Sequence, residues 1–397
     1  MSDFAVFALL VLNAYFLFAA LANVIYLRWA TQPARITSGP LVSVIVPARN
    51  EEHSIARCLE SLLAQTYTRY EVIVVDDESS DTTAGIVAAI AAHEPRLRLV
   101  SGTPLPDGWL GKTHALAQGA AVARGEILLL TDADTLHAPT SVSWAVTNLT
   151  DHRADMLSGY LDQAYGTFGE RVVVPTMYAM MLLVPLFLLP RTRSPRLAFA
   201  IGQYVVMRRS ALDCVGGFEM IRDSLVDDMS MAIRMKASGY RNVFLDAKKA
   251  ARCRLYSGYG NAFRGISRSI YSALGANPLS AVAVAAVVLG AIVGPALFVL
   301  DASLHSQLAP GPVTLAASLF AVAWALVTWD RDVPFTGYLL YPFVFADLVV
   351  ILGASMARTG FGRGVDWKGR TVRSSMALSA AEAARLADAA PRPSKGK

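Results

Sequence analysis

A short apolar run with two acids directly after it constrains the fold of this chain most. Residues Ile127 to Leu130 are apolar, and Asp132 and Asp134 follow them at once. The run predicts a strand that is buried on both faces, so the acids lie at its carboxyl end. Ligands bind at that edge of an open α/β sheet, and paired carboxylates there suit a hard divalent cation that carries a diphosphate. The alternative is a strand-to-helix loop whose aspartates only cap the next helix.

The composition predicts a membrane protein with one sizeable polar domain. The 397 residues are 54% hydrophobic and 17% charged, which is more apolar than an ordinary soluble protein. The net charge of +5 suits contact with anionic lipid or phosphate, and no basic run interleaved with aromatic residues indicates nucleic acid. Three widely spaced cysteines, Cys58, Cys214 and Cys253, form no C-x-x-C pair. We therefore expect reduced thiols in a cytoplasmic domain, and neither disulfides nor a zinc site.

The first apolar run predicts a membrane anchor. Residues 4–27 carry no charge and are numerous enough to cross a bilayer. The run has an acidic start, and Arg28 and Arg35 follow it, which is unlike a cleaved signal peptide and holds the next segment inside. We predict a retained transmembrane anchor over residues 1–30 and a location in the cell (inner) membrane with a cytoplasmic catalytic domain.

The polar part of the chain has the pattern of an α/β domain. From residue 41 to 256, short apolar runs alternate with helical patterns, which predicts βαβ units and a mostly parallel sheet. A second predicted strand, residues 71–75, ends in Asp76 and Asp77, and Lys112 lies in a glycine-flanked loop before the first-described strand. Carboxylates suit the hydrogen bonds of a base or ribose, and a lysine suits a phosphate. Together these residues predict a nucleotide-diphosphate pocket.

Five motifs between about residues 41 and 271 occur in the order and spacing of family 2 glycosyltransferases. They are V-S-V-I-V-P-A-R-N-E-E, V-V-D-D-E-S-S-D-T-T, G-K-T-H-A-L, L-L-T-D-A-D-T and V-D-D-M-S-M-A-I-R-M-K-A-S-G-Y. The chain thus resembles that family, which implies the A-type glycosyltransferase fold, a Rossmann-like α/β domain for nucleotide-diphospho-sugars. The P-L-P-D-G-W-L-G-K loop and the flanking membrane runs look most like the hopanoid-associated and carotenoid-type membrane subgroup.

The resemblance implies roles for individual residues on the donor side. The implied donor-binding residues are Pro47, Glu51, Asp76, Asp77, Lys112 and Asp132. Among them Asp77 matches the nucleoside-binding carboxylate, and Asp132 with Asp134 matches the D-x-D pair that holds a metal. Family knowledge implies a nucleotide-diphosphate sugar, here a UDP-sugar, and Mg²⁺ or Mn²⁺ that neutralises the departing diphosphate. The chain departs from the family at Ala117, where an asparagine is common.

The motif V-D-D contains the residue that best matches the catalytic base, Asp228. The usual pair is E-D, and this chain has Asp227 and Asp228 instead. Inverting transfer needs a carboxylate that accepts the proton of the acceptor hydroxyl. The alternative is plain charge compensation, because both acids begin a predicted helix through Gly239. The stretch A-I-G-Q-Y-V-V-M-R-R at residues 200–209 resembles the family's acceptor-side strand, so Gly202 and Gln203 are expected beside the transferred sugar, with Asp227 on the same side.

Residues 172–190 form an apolar segment inside the catalytic domain. The segment is uncharged up to Pro190 and contains three prolines, and arginines flank both ends. Prolines break a helix, so we expect this segment to lie in the membrane interface or fold into the membrane, and there to receive a lipid acceptor. The alternative is a buried core helix.

Residues 257–277 are expected to form an amphipathic approach to the membrane. Arg264 and Arg268 have the i,i+4 spacing of one helix face, so they either meet the diphosphate or contact lipid headgroups. Processive polysaccharide synthases of the family carry Q-x-x-R-W near this position, and the chain lacks it. The absence argues against synthesis of a long polymer.

The C-terminal part predicts two or three further spans over residues 278–357 and a basic, partly disordered tail over 358–397. The apolar runs are 278–300, 313–329 and 338–357. The tail carries nine Lys or Arg against three acids, which indicates the cytoplasmic side, whereas three crossings would place it outside. Either one run is re-entrant or the tail does not follow the charge rule.

These observations predict an inverting, metal-dependent glycosyltransferase that moves one sugar from a nucleotide diphosphate to a lipid-like acceptor at the membrane. One alternative is a polysaccharide synthase with the same donor site. It would need a polar channel through the helices, and the membrane runs carry almost no polar residues. Another is a membrane protein that binds a nucleotide sugar without turnover, which the carboxylates at Asp132, Asp134 and Asp228 argue against.

Overall fold

The computed structural model describes residues 3–275, 277–286, 288–289, 311–360, 365–367 and 370–372. The chain divides into two compact units. Trp29–Ala164, Leu188–Leu255 and Arg363–Lys397 belong to the first, which we call the sheet unit. Met1–Arg28, Tyr165–Phe187 and Tyr256–Gly362 belong to the second, the helical unit. The predicted domain boundaries stay a prediction, and they differ from this division because residues 165–187 group with the helices.

The sheet unit is built on strands whose apolar runs are buried on both faces. In chain order the strands are β1 (Val42–Ala48), β2 (Tyr70–Asp76), β3 (Leu97–Ser101), β4 (Ile127–Thr131), β5 (Thr135–His137), β6 (Met156–Tyr160), β7 (Asp162–Gln163), β8 (Tyr204–Arg208), β9 (Asn242–Asp246) and β10 (Ala251–Cys253). Seven of those described form one sheet in the order β3-β2-β1-β4-β8-β6-β9, and three form a small sheet in the order β5-β10-β7. A separate hairpin joins β11 (Val365–Trp367) to β12 (Arg370–Val372).

Most neighbours in the large sheet are parallel, which confirms the predicted fold class. Strands β1 to β4 are parallel to one another, as are β6 and β9. Strand β8 runs antiparallel to both of its neighbours, and Thr131 of β4 pairs with Tyr204 of β8. The carboxyl ends of β1, β2 and β4 therefore meet at one edge, where the sequence placed its acids.

Helices pack against the sheet, whose central strands are buried on both faces. They are α2 (Ile55–Leu63), α3 (Thr83–Ala91), α4 (Gly111–Val122), α5 (Ser141–Asp151), α8 (Arg209–Cys214) and α9 (Asp227–Ala237). Side chains of β1, β4, α4 and α9, among them Ile45, Leu128, Leu116 and Met231, pack into one cluster. The apolar spacing of residues 50–65 predicts a helix, and α2 begins five residues after the start of that pattern, at Ile55. Asn50 has a φ of 52°, a left-handed conformation that asparagine tolerates and a helix does not.

The helical unit contains the long apolar helices. Its helices are α1 (Asp3–Ala30), α6 (Phe168–Val173), α7 (Met180–Leu183), α10 (Tyr259–Ala273), α11 (Pro278–Ala286), α12 (Gly311–Asp330), α13 (Phe335–Leu339) and α14 (Tyr341–Gly360). In the described part of the chain, α1, α12 and residues Tyr341–Arg358 of α14 are long and apolar enough to cross a membrane. Helices α10 and α11 meet at a bend of 116° and together could form a fourth span.

Some predictions fall largely on residues outside the described ranges. These are the second half of the apolar run 278–300, most of the loop that follows it, and the predicted disordered tail from residue 373 onward.

Helices α1 and α12 pack side by side in the same direction. Near their starts, Leu9 packs with Val313 and Ala316. Half-way along, the rings of Phe16 and Phe320 are 5.8 Å apart. At their ends, Arg28 Nε donates to Asp330 Oδ1 at 2.7 Å, and the Arg28 guanidinium lies over the Trp329 ring at 4.3 Å. Contacts in the same order along both helices show that the two are parallel.

The apolar segment breaks into short turns, as its prolines predict. Two 3-10 turns, Val174–Ala179 and Leu186–Arg191, flank helix α7. The buried side-chain amide of Asn23 on α1 donates hydrogen bonds to the backbone around this break. Its Nδ2 atom donates to the carbonyl oxygens of Met181 and Val184, each at 2.8 Å, and Tyr15 donates to that of Leu183 at 3.1 Å. These bonds satisfy carbonyl groups that the broken helix leaves without intrahelical partners.

Candidate active site

The carboxyl edge of the parallel strands gathers the predicted donor residues. Because β1 and β2 are in register, with Ala48 opposite Asp76, the segments that follow both strands leave the sheet side by side. The Asp77 amide donates to the Ala48 carbonyl at 2.8 Å. The parallel neighbour β4 ends at Thr131 and delivers Asp132 to the same edge. The sheet therefore brings these acids to the same edge.

Asp77 is buried, and an arginine that the sequence analysis did not select lies beside it. Asp77 is only 2% exposed. Arg49 Nη1 lies 4.0 Å from Asp77 Oδ2 and donates to the carbonyl oxygens of Asp77 and Glu78. Asp76 Oδ2 accepts from the Ser79 amide at 3.3 Å. Arg49 belongs to the A-R-N-E-E motif, and this motif was the signal that could have identified it. Its partners, however, are about 29 residues away in the sequence.

One cavity in the sheet unit brings six of the predicted site residues together. Its charged and hydroxyl-bearing lining consists of Lys112, Thr131, Asp132, Asp227 and Asp228, with Pro47 and Gly202 beside them, and its apolar lining of Leu116, Leu130, Met156, Val205, Met207, Phe218 and Met231. The first seven of these residues come from five different stretches of sequence. A site of this kind, with convergent charged groups over an apolar floor, is typical of small-ligand binding.

Lys112 is the centre of charge in this cavity. It lies in the first turn of α4, and its Nζ atom donates to Asp132 Oδ1 at 2.7 Å. Burial opposes the charge of the lysine, yet the carboxylates of Asp132, Asp227 and Asp228 raise its pKa above the usual range. The ammonium is therefore permanently charged at neutral pH. It offers positive charge where a diphosphate would need it.

Asp228 has the electrostatics of a general base. Burial and the neighbouring Asp227 raise its pKa to about 7, while Lys112 and the amides of Met229 and Gly202 act in the opposite direction. The Met229 amide donates to Asp228 Oδ1 at 2.7 Å. A carboxyl group with a pKa near the working pH is efficient at accepting and returning a proton. Its place at the start of α9 also allows plain helix-end compensation, but that role does not need burial.

The D-x-D pair fits a divalent cation by its donor set and its electrostatics. Burial and the charges of Asp132 and Glu51 raise the pKa of Asp134 to about 7, which indicates crowded carboxylates that a cation would relieve. The described residues contain no group of three or more His, Cys, Asp or Glu side chains with metal geometry. Two carboxylates and oxygens of a bound diphosphate are a usual set for Mg²⁺ or Mn²⁺.

Cys253 adds a contact at the D-x-D pair that the sequence did not suggest. Its Sγ atom lies 3.7 Å from Asp134 Oδ1, and the thiol belongs to β10, more than a hundred residues away in the sequence. Glu51 reaches the same region, where its Oε2 atom accepts from the Ser54 hydroxyl at 2.9 Å.

The residues predicted on the acceptor side are placed differently from one another. Gly202 lies in the cavity, where an added Cβ atom would be 3.3 Å from both Asp228 Oδ2 and Lys112 Nζ. The Gln203 side chain is buried instead, and its Oε1 atom accepts from Gln163 Nε2 at 3.0 Å. Arg264 and Arg268 lie on α10 of the helical unit, where Arg264 donates to Asn261 Oδ1 at 2.7 Å. Their contact with a diphosphate stays a prediction.

A comparison with known protein families identifies the domain that contains most of these site residues. Residues 43–216 match the family model described as glycosyl transferase family 2. The chain contains a family 2 glycosyltransferase domain. This finding confirms the resemblance seen in the sequence motifs. Ala117, the departure from the family pattern, packs against the apolar core on α4.

Similar proteins include two bacterial enzymes. The beta-monoglucosyldiacylglycerol synthase of Trichormus variabilis is 29% identical over 198 residues, which are 49% of this chain and 41% of that protein. The 4,4'-diaponeurosporenoate glycosyltransferase of Staphylococcus haemolyticus is 40% identical over 93 residues, 23% of this chain and 24% of that protein. The chain thus spans less than half the length of each of these relatives.

A solved structure supports the fold of the family 2 domain. The mannosyltransferase PcManGT of Pyrobaculum calidifontis, in complex with GDP-Man and Mn²⁺, superposes with a TM-score of 0.54 at 23% identity. The match covers 89% of this chain and 98% of that one. At this identity the likeness shows the A-type glycosyltransferase fold and no more.

Proposed function

We propose that this protein is a membrane-anchored inverting glycosyltransferase that moves one sugar from a nucleotide diphosphate to a hydroxyl or carboxyl group of a lipid-like acceptor. The observation that carries the proposal is the single cavity in which Lys112, Asp132 and Asp228 meet. A family 2 domain supplies the reaction class, and the cavity supplies a charge for the leaving group and a base for the acceptor.

On the donor side, Asp76 and Asp77 hold the nucleoside of a UDP-sugar, and Pro47 and Glu51 border it. Asp132 and Asp134 would hold Mg²⁺ or Mn²⁺, which supplies positive charge to the diphosphate as it leaves. Lys112 contributes to the same purpose from the protein side, because its ammonium stays charged among the carboxylates. Both groups stabilise the charge that develops on the leaving oxygen.

On the acceptor side, Asp228 takes the proton from the acceptor hydroxyl. The oxygen then forms a bond to the anomeric carbon from the face opposite the diphosphate, while the bond between that carbon and the diphosphate oxygen breaks. The pair of electrons leaves with the diphosphate, and the anomeric configuration inverts. A pKa of about 7 suits Asp228 for this transfer at neutral pH. Gly202 leaves room beside the base because it has no side chain.

The helical unit supports a multi-pass location with the sheet unit in the cytoplasm. Basic Arg28 ends α1, and the positive-inside tendency places that end in the cytoplasm. Because α12 is parallel to α1 and its Asp330 pairs with Arg28, α12 also ends in the cytoplasm and begins on the outer side.

The apolar segment supports a lipid acceptor. Asn23 and Tyr15 hold this segment against α1, and at a rise of about 1.5 Å per residue they lie about 8 Å and 20 Å from Arg28 along the helix. If α1 crosses the bilayer, the turns around Pro185 lie within its hydrocarbon region, where broken backbone must be satisfied by protein groups. The names of two relatives contain a diacylglycerol and a diaponeurosporenoate. These names are consistent with an apolar acceptor here.

Transfer of labelled sugar tests the proposal. Membranes that contain the protein are incubated with a panel of labelled nucleotide sugars and Mn²⁺ or Mg²⁺, and label is counted in the organic extract. We expect label in lipid with the wild type and its loss in Asp228→Asn and Asp134→Ala. Asp213→Asn is the matched control, because Asp213 is an exposed acid on α8. Label only in insoluble polymer would favour a polysaccharide synthase, and donor binding without any transfer would favour a non-catalytic binder.

A further inference from the structure

A buried histidine bonds to both ends of the segment that carries the D-x-D pair. His137 ends β5 and is 5% exposed. Its Nε2 atom lies 3.1 Å from the Thr131 hydroxyl at the end of β4, and Asp132 follows Thr131 directly. On the other side of the ring, Nδ1 lies 3.0 Å from Ser141 Oγ at the start of α5. The imidazole therefore ties together both ends of the segment that contains Asp132 and Asp134.

The neighbouring hydroxyl groups fix the direction of these hydrogen bonds. Tyr204 donates its hydroxyl to the Ser141 carbonyl at 2.9 Å, and Thr131 donates its hydroxyl to the Gln203 carbonyl at 3.1 Å. Since the Thr131 hydroxyl has one hydrogen, Thr131 Oγ1 accepts from Nε2–H. A neutral imidazole then has no hydrogen on Nδ1, so His137 Nδ1 accepts from Ser141. Burial lowers the pKa of His137 to about 3, so the ring is neutral, as this arrangement requires.

The contacts continue from the D-x-D segment to the proposed base. Thr131 donates to the carbonyl of Gln203, and the preceding residue, Gly202, lies beside Asp228, where an added Cβ atom would be 3.3 Å from Asp228 Oδ2. Strands β4 and β8 are also linked by the pairing of Thr131 with Tyr204. The histidine thus stands at one end of a connected path that passes from the residue before Asp132 to the residue beside Asp228.

We propose that His137 is a positioning residue that sets the D-x-D carboxylates relative to Asp228, through the Thr131 hydroxyl and the Gln203 peptide. The inference rests on the proposed function, in which these carboxylates hold the donor and activate the acceptor. His137 itself touches neither. Side chains that orient metal ligands in this way commonly change metal affinity about 10- to 100-fold when they are removed.

A set of four variants of the full chain, purified in detergent, tests this role. His137→Leu removes both ring bonds, and Thr131→Val removes the hydroxyl with little change in shape. His137→Gln keeps an N–H donor near the position of Nε2. His93→Leu is the control, because His93 is exposed at the end of α3. Mn²⁺ binding in the presence of UDP is followed by the paramagnetic resonance signal of free Mn²⁺, and kcat and KM are measured for transfer.

We expect His137→Leu and Thr131→Val each to weaken Mn²⁺ binding about tenfold or more and to lower kcat at saturating donor and metal. We expect His137→Gln to recover most of both and His93→Leu to match the wild type. If Thr131→Val, or a folded His137→Leu, binds Mn²⁺ and turns over within twofold of the wild type, the proposal is wrong. Mn²⁺ binding needs no acceptor, so this test holds even if the wild type transfers no sugar to lipid.

Discussion

Adding a single methyl group at Gly202 perturbs the geometry of the base directly. In Gly202→Ala the new Cβ would lie 3.3 Å from both Asp228 Oδ2 and Lys112 Nζ, closer than ordinary van der Waals contact. Both side chains must then move by a few tenths of an ångström. A misplacement of about 1 Å costs on the order of 100-fold in rate, so we expect kcat/KM to fall about tenfold, which is about 1.4 kcal/mol of transition-state stabilisation.

The assay compares lipid transfer with stability in matched glycine variants. Gly202 has an ordinary backbone conformation, so the alanine variant should fold and show an unchanged or slightly higher Tm. Gly85→Ala is the control, because a Cβ atom at Gly85 on α3 meets nothing within 4 Å. Transfer by Gly202→Ala within twofold of the wild type would refute the placement of Gly202 beside the base, as would an equal loss in Gly85→Ala.

Three further outcomes follow from the same structure. Because burial and Asp227 raise the pKa of Asp228 to about 7 and the base acts when ionised, kcat/KM should rise as pH increases from 6 to 8; a flat profile in that range would contradict the base. Asn23→Leu should cost about 1–3 kcal/mol, since it removes the side-chain donor to the carbonyl groups of Met181 and Val184, and thermal unfolding in detergent with a lower Tm checks this. The direction of α12 is tested in a Cys214→Ser background with a thiol reagent that does not cross the membrane. Leu315→Cys should react with it in intact cells, whereas Asp332→Cys should react only after the membrane is opened.

The sheet was predictable because its strands are nearly continuous apolar runs. Such runs at residues 42–47, 71–75 and 127–131 fixed strands that are buried on both faces, and the acids after them reached one edge by geometry alone. The prediction of the helix after β1 was less accurate. Its pattern of apolar residues continues through a loop in which Asn50 takes a left-handed conformation. Local patterns do not report where a helix begins without a cap.

The residues that the sequence analysis did not select are those whose partners are far away in the chain. His137 showed no metal spacing, and its role depends on Thr131 and Ser141 meeting its two ring nitrogens. Asn23 was one of two polar residues in an apolar run, and its partners lie about 160 residues later. Gln203 was expected beside the sugar, and its side chain is buried directly before β8, where it accepts from Gln163.

The anomeric configuration of the lipid product tests the central claim most directly. The purified protein is supplied with a UDP-sugar of known configuration, Mn²⁺ and membrane lipids, and the glycolipid formed is examined by nuclear magnetic resonance. Asp228 as base at the face opposite the diphosphate predicts a product with the inverted configuration, absent with Asp228→Asn. A glycolipid that retains the donor's configuration, or one formed equally well without the Asp228 carboxylate, would contradict the account.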